Sequence, residues 1–167
     1  CDTVTTLYDS LKAGEQGSLF SSSLQLDIEK LKKAGYLLQN FAVFLDKEIW
    51  KENLYKEALQ RIDFFKKQLS ESTDIIRQVT SYNEILRNEK ENCISALLTL
   101  EGGEILEGNV DNLTAFHEKG VRMITLTWNY DNEMGHCHFD TEGKGLTKLG
   151  FEVVERMEEL HMIPDVS

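Results

Sequence analysis

The chain has 167 residues, 41% hydrophobic and 28% charged, with 29 acidic against 18 basic side chains and a formal net charge of −11. That balance describes a globular protein rather than a disordered, fibrous or membrane-spanning one, since no apolar run approaches the ~20 residues a span needs. An acidic surface repels phosphate backbones, so neither nucleic acid nor membrane contact is expected.

The first predicted element is a helix over Leu24–Ala34, with Leu24, Ile28, Leu31 and Ala34 at helical spacing behind Ser21-Ser22-Ser23 and Gly35 closing it. Tyr36–Leu45 is a dense apolar run of strand length, suited to burial on both faces of a parallel sheet. From Ile49 to Leu69, the positions Trp50, Leu54, Ala58, Ile62, Phe65 and Leu69 step by three or four, which predicts an amphipathic helix. Ser81–Lys90 is a shorter helix carrying Ile85 and Leu86. Cys93–Leu100 reads as a buried strand ending in Glu101-Gly102-Gly103, and Val110–Lys119 as a helix closed by Gly120. Val121–Trp128 is a predicted strand, Leu146–Leu160 a helix and Met162–Val166 another strand. Doubly buried strands alternating with helices argue for βαβ units and a parallel sheet, an α/β fold. No linker interrupts the pattern. The start at Cys1-Asp2 and the end at Pro164-Asp165-Val166-Ser167 read as cut ends of a longer domain.

In parallel α/β folds chemistry sits at the C-terminal edge of the strands. Glu101-Gly102-Gly103 and Trp128-Asn129-Tyr130-Asp131-Asn132 both fall there. Glu101 closes an apolar strand, so its charge is costly unless a cation pairs with it. A divalent metal ion meets that need; a Lys or Arg partner, or a role as cap of the next helix, meets it equally, and the residues alone leave both readings open. His136-Cys137-His138 offers zinc donors in a polar loop with Asp131, Glu133, Asp140 and Glu142. It lacks the spacing to a further ligand, so an ordinary exposed loop competes with a metal site. His117 and His161 read as surface or helix-end histidines, and Trp128 and Tyr130 as aromatics that pack internally or stack on a ligand. No nucleophile elbow or phosphate-cradling glycine loop is present. Three cysteines (Cys1, Cys93, Cys137) are too few for a disulfide framework and favour a reducing compartment.

Ala96–Gly103, Gly120–Asn132 and Gly145–Ser167 together resemble, in order and spacing, the membrane (renal) dipeptidase family of binuclear zinc peptidases. Cys1-Asp2-Thr3 is similar to the end of that family's His-x-Asp metal motif at the close of the first strand. The resemblance implies the N-terminal part of a (β/α)8 TIM barrel, with residues 1–167 a single incomplete barrel domain continuing beyond both ends. It implies two zinc ions, with Asp2 and Glu101 as metal ligands, Glu101 bridging. The imidazole ligands would lie outside the chain, and His136 and His138 do not match ligand positions. No catalytic residue is carried over. The implied activity is hydrolysis of dipeptides through a metal-bridging hydroxide, with Glu101 offsetting the repulsion between the two cations. A dipeptide is then the substrate, a homodimer is one assembly compatible with it, and the cytoplasm is the expected compartment. Two other readings use the same scaffold: a non-catalytic binding or interaction protein, and another metal-dependent amidohydrolase.

Overall fold

The computed structural model describes residues 1–139 and 141–167. The elements run α1 (Thr3–Lys12), α2 (Ile28–Ala34), β1 (Leu38–Phe44), α3 (Leu54–Ser70), β2 (Ile76–Val79), α4 (Tyr82–Lys90), β3 (Ile94–Glu101), a 3-10 turn (Gly103–Leu106), α5 (Asn112–Glu118), β4 (Met123–Thr125), α6 (Lys148–Glu159) and β5 (Ile163–Asp165). The chain divides into two compact units, Cys1–Val43 with Gln60–Leu98, and Phe44–Leu59 with Thr99–Ser167.

In the first unit β1 and β2 both hydrogen-bond to β3. The β2–β3 pairing is parallel, with Ile76 opposite Ile94 and Val79 opposite Leu97. Phe41, Val43, Ala96 and Leu98 are buried on these strands, and Ile62 and Phe65 of α3 are buried with them. The Phe41 and Phe65 rings lie 5.1 Å apart. Helix α1 was not among the predicted elements. It buries Val4 and Leu7 and is held by a contact distant in sequence. The fully buried Arg61 donates to Asp9 Oδ1 at 2.6 Å and lies over the Tyr8 ring at 4.7 Å. Strand β2 was also missed, because four residues are too short a window for a period-2 pattern.

Helix α2 begins at Ile28 rather than at Leu24, because Asp27 is its cap. The Asp27 carboxylate accepts from the Lys30 N–H at 2.9 Å and the Ser22 N–H at 3.1 Å, while Lys30 Nζ donates to the carbonyls of Ser22 and Leu24. Residues 22–27 are therefore a capping loop. Burial pushes the Asp27 carboxyl up, but the Lys30 and Ser22 bonds outweigh burial and hold its pKa below the ordinary value. Its stabilisation is then present above the unfolded pKa and fades as pH falls through the folded one. Asp27→Ala is expected to cost about 1–3 kcal/mol, read as a lower urea midpoint with unchanged slope. An unmoved midpoint would remove this account of the cap. Helix α4 starts where expected, on a Ser81 capping box closed by Glu84.

In the second unit β3 pairs in parallel with β4, Thr99 opposite Met123 and Glu101 opposite Thr125. Strand β4 pairs in parallel with β5, Met123 opposite Ile163 and Thr125 opposite Asp165. Leu100, Leu113, Phe116, Ile124, Val153 and Met157 form its core. The strand predicted over Val121–Trp128 is confined to Met123–Thr125, because the Leu126 carbonyl turns to the Gly103 N–H and the Asn132 side chain. The helix predicted from Ile49 begins at Leu54. The Asp46 side chain accepts from the Glu48 N–H and its carbonyl from Ile49 and Trp50, folding that stretch into a turn. Asn53, at φ 64°, ends the turn in the left-handed region. Double burial holds for β3 but not for β5, where Ile163 is 54% exposed. All the registered pairings are parallel, which is the α/β arrangement expected.

Candidate metal centre

In the first unit the backbone nitrogen of Cys1 donates to the Asn40 carbonyl at 2.8 Å, and the Ala42 N–H donates to the Cys1 carbonyl at 2.7 Å. Cys1 therefore runs beside β1 in ladder fashion, and the next residue, Asp2, stands at the N-cap of α1. Asp2 is exposed and its side chain makes no capping hydrogen bond.

In the second unit Glu101 is the last residue of β3, half-buried. The two glycines after it have separate geometric reasons. Gly102 sits at φ 98°, which L side chains rarely adopt, and a Cβ there would lie 2.6 Å from the Glu104 carboxylate. A Cβ on Gly103 would come within 2.7 Å of the Leu126 carbonyl, which already accepts the Gly103 N–H at 3.2 Å. The Gly102 N–H donates to the Thr125 carbonyl at 3.2 Å. The chain past Glu101 is thus pressed against the end of β4, and only glycine fits at either step.

Beneath this turn lies a residue that sequence reasoning passed over. Glu104 is 6% exposed, and Asn132 Nδ2 donates to its Oε2 at 3.0 Å. Burial pushes its carboxyl pKa up; its own backbone N–H, Asn132 and the charge of Lys47 pull it partly back. Its only signal was an acid set between Gly103 and the apolar Ile105-Leu106. Glu104 also lines a cleft of about 430 Å³ with Lys47, Trp50, Lys51, Glu107 and Glu133. At the end of β5, burial pushes Asp165 up, but bonds from Thr125 Oγ1 (2.6 Å) and from Ser167 outweigh it and hold the carboxyl below its ordinary range.

The His136-Cys137-His138 loop is knitted by hydrogen bonds instead of arranged as a ligand set. Asp131 accepts from the Cys137 N–H at 2.8 Å and pairs with His136 Nδ1 at 2.9 Å, and these contacts lower its pKa. The His138 ring stacks on Phe139 at 3.8 Å. Trp128 packs edge-on against Phe44 at 4.7 Å. Asp140 lies outside the described residues. Among those described, no group of three or more His, Cys, Asp or Glu side chains is placed to hold a metal ion. No described helix is long and apolar enough to cross a membrane.

The family described as "Membrane dipeptidase (Peptidase family M19)" matches residues 1–167. The chain is 27% identical over 165 residues to an "Uncharacterized protein in PQQ-III 3'region" of Acinetobacter calcoaceticus, covering 85% of this chain and 52% of that protein. It is 29% identical over 149 residues to Dipeptidase 3 of Rattus norvegicus, covering 86% of this chain and 30% of that protein. A metallo peptidase from Rhodobacter sphaeroides, solved with a phosphinate mimic of the dipeptide L-Ala-D-Ala, superposes with a TM-score of 0.84 at 19% identity, over 99% of this chain and 56% of that one. The chain thus spans between about a third and a half of these proteins.

Proposed function

This chain belongs to the membrane dipeptidase family, peptidase family M19, and on that premise we propose that the protein carrying it is a dipeptidase that uses two zinc ions. In this reading the chain is the N-terminal half of a (β/α)8 barrel that continues beyond both ends. The fold supports it: parallel βα units align over nearly the whole chain with the Rhodobacter metallo peptidase.

One observation carries the reading. Glu101 is a half-buried carboxylate at the C-terminal end of a doubly buried strand, followed by two glycines whose Cβ positions are already filled. That is the edge at which barrels of this class place their chemistry. The donor chemistry fits divalent cations, since Asp and Glu carboxylates are hard oxygen donors and the Asp2 side chain makes no hydrogen bond at the α1 cap. By the family resemblance, Glu101 and Asp2 would each contribute a carboxylate to metal binding. When bound, the ions would supply Lewis acidity and a water deprotonated near neutral pH. The remaining work is done by the chain itself: Gly102 and Gly103 let the backbone turn tightly past Glu101, and the Thr125–Asp165 bond aligns the ends of β4 and β5.

The test is metal analysis of the purified full-length protein together with hydrolysis of a panel of dipeptides. About two zinc ions per chain with turnover that a chelator abolishes and zinc restores is the expected result. Neither metal nor turnover would leave a binding protein on the same scaffold.

A further inference from the structure

Three residues beyond Glu101, the Glu104 carboxylate is almost wholly buried, yet a neutral or apolar side chain could fill the same space at less cost. Burial of a charge is tolerated where its hydrogen bonds do something a filler cannot. Here they join two turns. Glu104 lies over Gly102, close enough that a Cβ on Gly102 would be 2.6–2.7 Å from its carboxylate atoms. Its Oε2 takes one N–H of Asn132 at 3.0 Å. The same Asn132 amide donates to the Leu126 carbonyl at 2.8 Å, while its Oδ1 accepts the Met134 N–H at 2.9 Å. Asn132 is therefore the knot of the loop after β4, and Glu104 ties that knot to the turn that follows Glu101. Lys47 lends this network positive charge and is itself held by the Asp131 carbonyl and the Tyr130 ring.

We propose that Glu104, with Asn132, is a positioning residue for Glu101, holding the turn at Gly102 and Gly103 so that the Glu101 carboxylate is preorganised to take up metal. The proposal rests on the reading of Glu101 as a metal ligand. The ligand itself sits on a strand end, whose backbone is fixed by the pairing of Glu101 with Thr125. Past it, the Gly102 and Gly103 N–H groups still donate to the Thr125 and Leu126 carbonyls, but the chain changes direction where Gly102 departs at positive φ. Glu104 occupies the inside of that bend.

The test uses the full-length protein and its variants Glu104→Gln and Asn132→Ala. Gln keeps the shape but has only one oxygen for the two donors, Asn132 and the residue's own amide. Asn132→Ala keeps Glu104 but cuts the knot, and it answers the question if Glu104→Gln fails to fold. Three quantities are read: zinc affinity in a chelator-buffered titration, local hydrogen exchange of the metal-free protein, and kcat and KM for a dipeptide. Zinc affinity and kcat are expected to fall about 10–100-fold with KM changed far less. Exchange is expected to accelerate in residues 101–107 and 126–134 alone, leaving β2 and α4 as protected as before. Unchanged zinc affinity and unchanged local exchange overturn the proposal, as does acceleration spread evenly over all elements, which would mark a merely structural carboxylate. If the unaltered protein binds no zinc and cleaves no dipeptide, the dipeptidase reading itself fails. Normal zinc and turnover in the unaltered protein and in both variants would sink only the role of Glu104.

Discussion

Glu101→Gln is expected to lower dipeptide turnover by roughly a thousandfold or more and to leave the protein short of at least one zinc ion. The substitution keeps the shape of the side chain and removes its charge. A unit charge ~4 Å from another interacts by about 4 kcal/mol at an effective dielectric of 20, and a divalent partner doubles the interaction. Even half of that, about 4 kcal/mol, is close to a thousandfold in a binding constant. In the proposed site two cations would repel each other by the same law, so a neutral bridge would lose on both counts. Metal content by elemental analysis and kcat with a dipeptide measure the two effects separately. Full zinc occupancy with a near-normal rate in this variant would end the assignment of Glu101. Glu104→Gln provides the contrast: it replaces a carboxyl three residues away that is buried under the turn, and its effect should be one to two orders of magnitude smaller.

The largest expected effect on stability comes from a glycine far from any proposed ligand in sequence. Gly150 lies in the first turn of α6, and a Cβ there would sit 1.9 Å from the Met134 carbonyl oxygen. The approach is so close because the two segments are stapled. The Thr147 N–H donates to the Met134 carbonyl at 2.9 Å, and the Thr147 hydroxyl donates to the Glu133 carbonyl at 2.6 Å while accepting the Gly150 N–H at 3.0 Å. Gly150→Ala must separate backbone from backbone by more than an ångström or lose these bonds. Helix propensity favours Ala over Gly by about 1 kcal/mol, so any loss observed measures the collision. A net destabilisation of about 3 kcal/mol is expected, at the upper end for overpacking, seen as a fall in the denaturant midpoint. Phe151→Ala, at a 61% exposed position of the same helix, should stay within about 0.5 kcal/mol and serves as control. Equal stabilities for the two variants would show that α6 does not pack on the 133–134 segment as described.

Most helices and strands were legible because their signals are local. Ser81 and Glu84 form a capping box within four residues, Gly35 closes α2 in the left-handed region, and β3 is an unbroken apolar run. The errors arose where a distant or side-chain partner decides the backbone. Asp27 rather than the serines caps α2, Asp46 folds into a turn what looked like helix, and Asn132 ends β4 early. Helix α1 escaped notice although Val4, Leu7 and Leu11 carry its period, and its anchor, Arg61, is 52 residues from Asp9.

The amino-acid sequence by itself determined the alternation of strands and helices, the parallel α/β class and the family, because caps, apolar runs and the Glu-Gly-Gly turn are short-range patterns. It also marked Glu101 at the end of its strand, while Asp2 stood out only through the family resemblance. Only the tertiary structure separated two glutamates three positions apart, one half-exposed at the end of β3 and one sealed beneath the turn. Burial is a property of neighbours brought from elsewhere in the chain, and the Asn132 that meets Glu104 is 28 residues away. No local period encodes that meeting. The same reason explains the glycines: their composition was plain to read, but the carbonyls that crowd a Cβ at Gly103 and Gly150, and the positive φ that strains one at Gly102, became visible only once the backbone was folded.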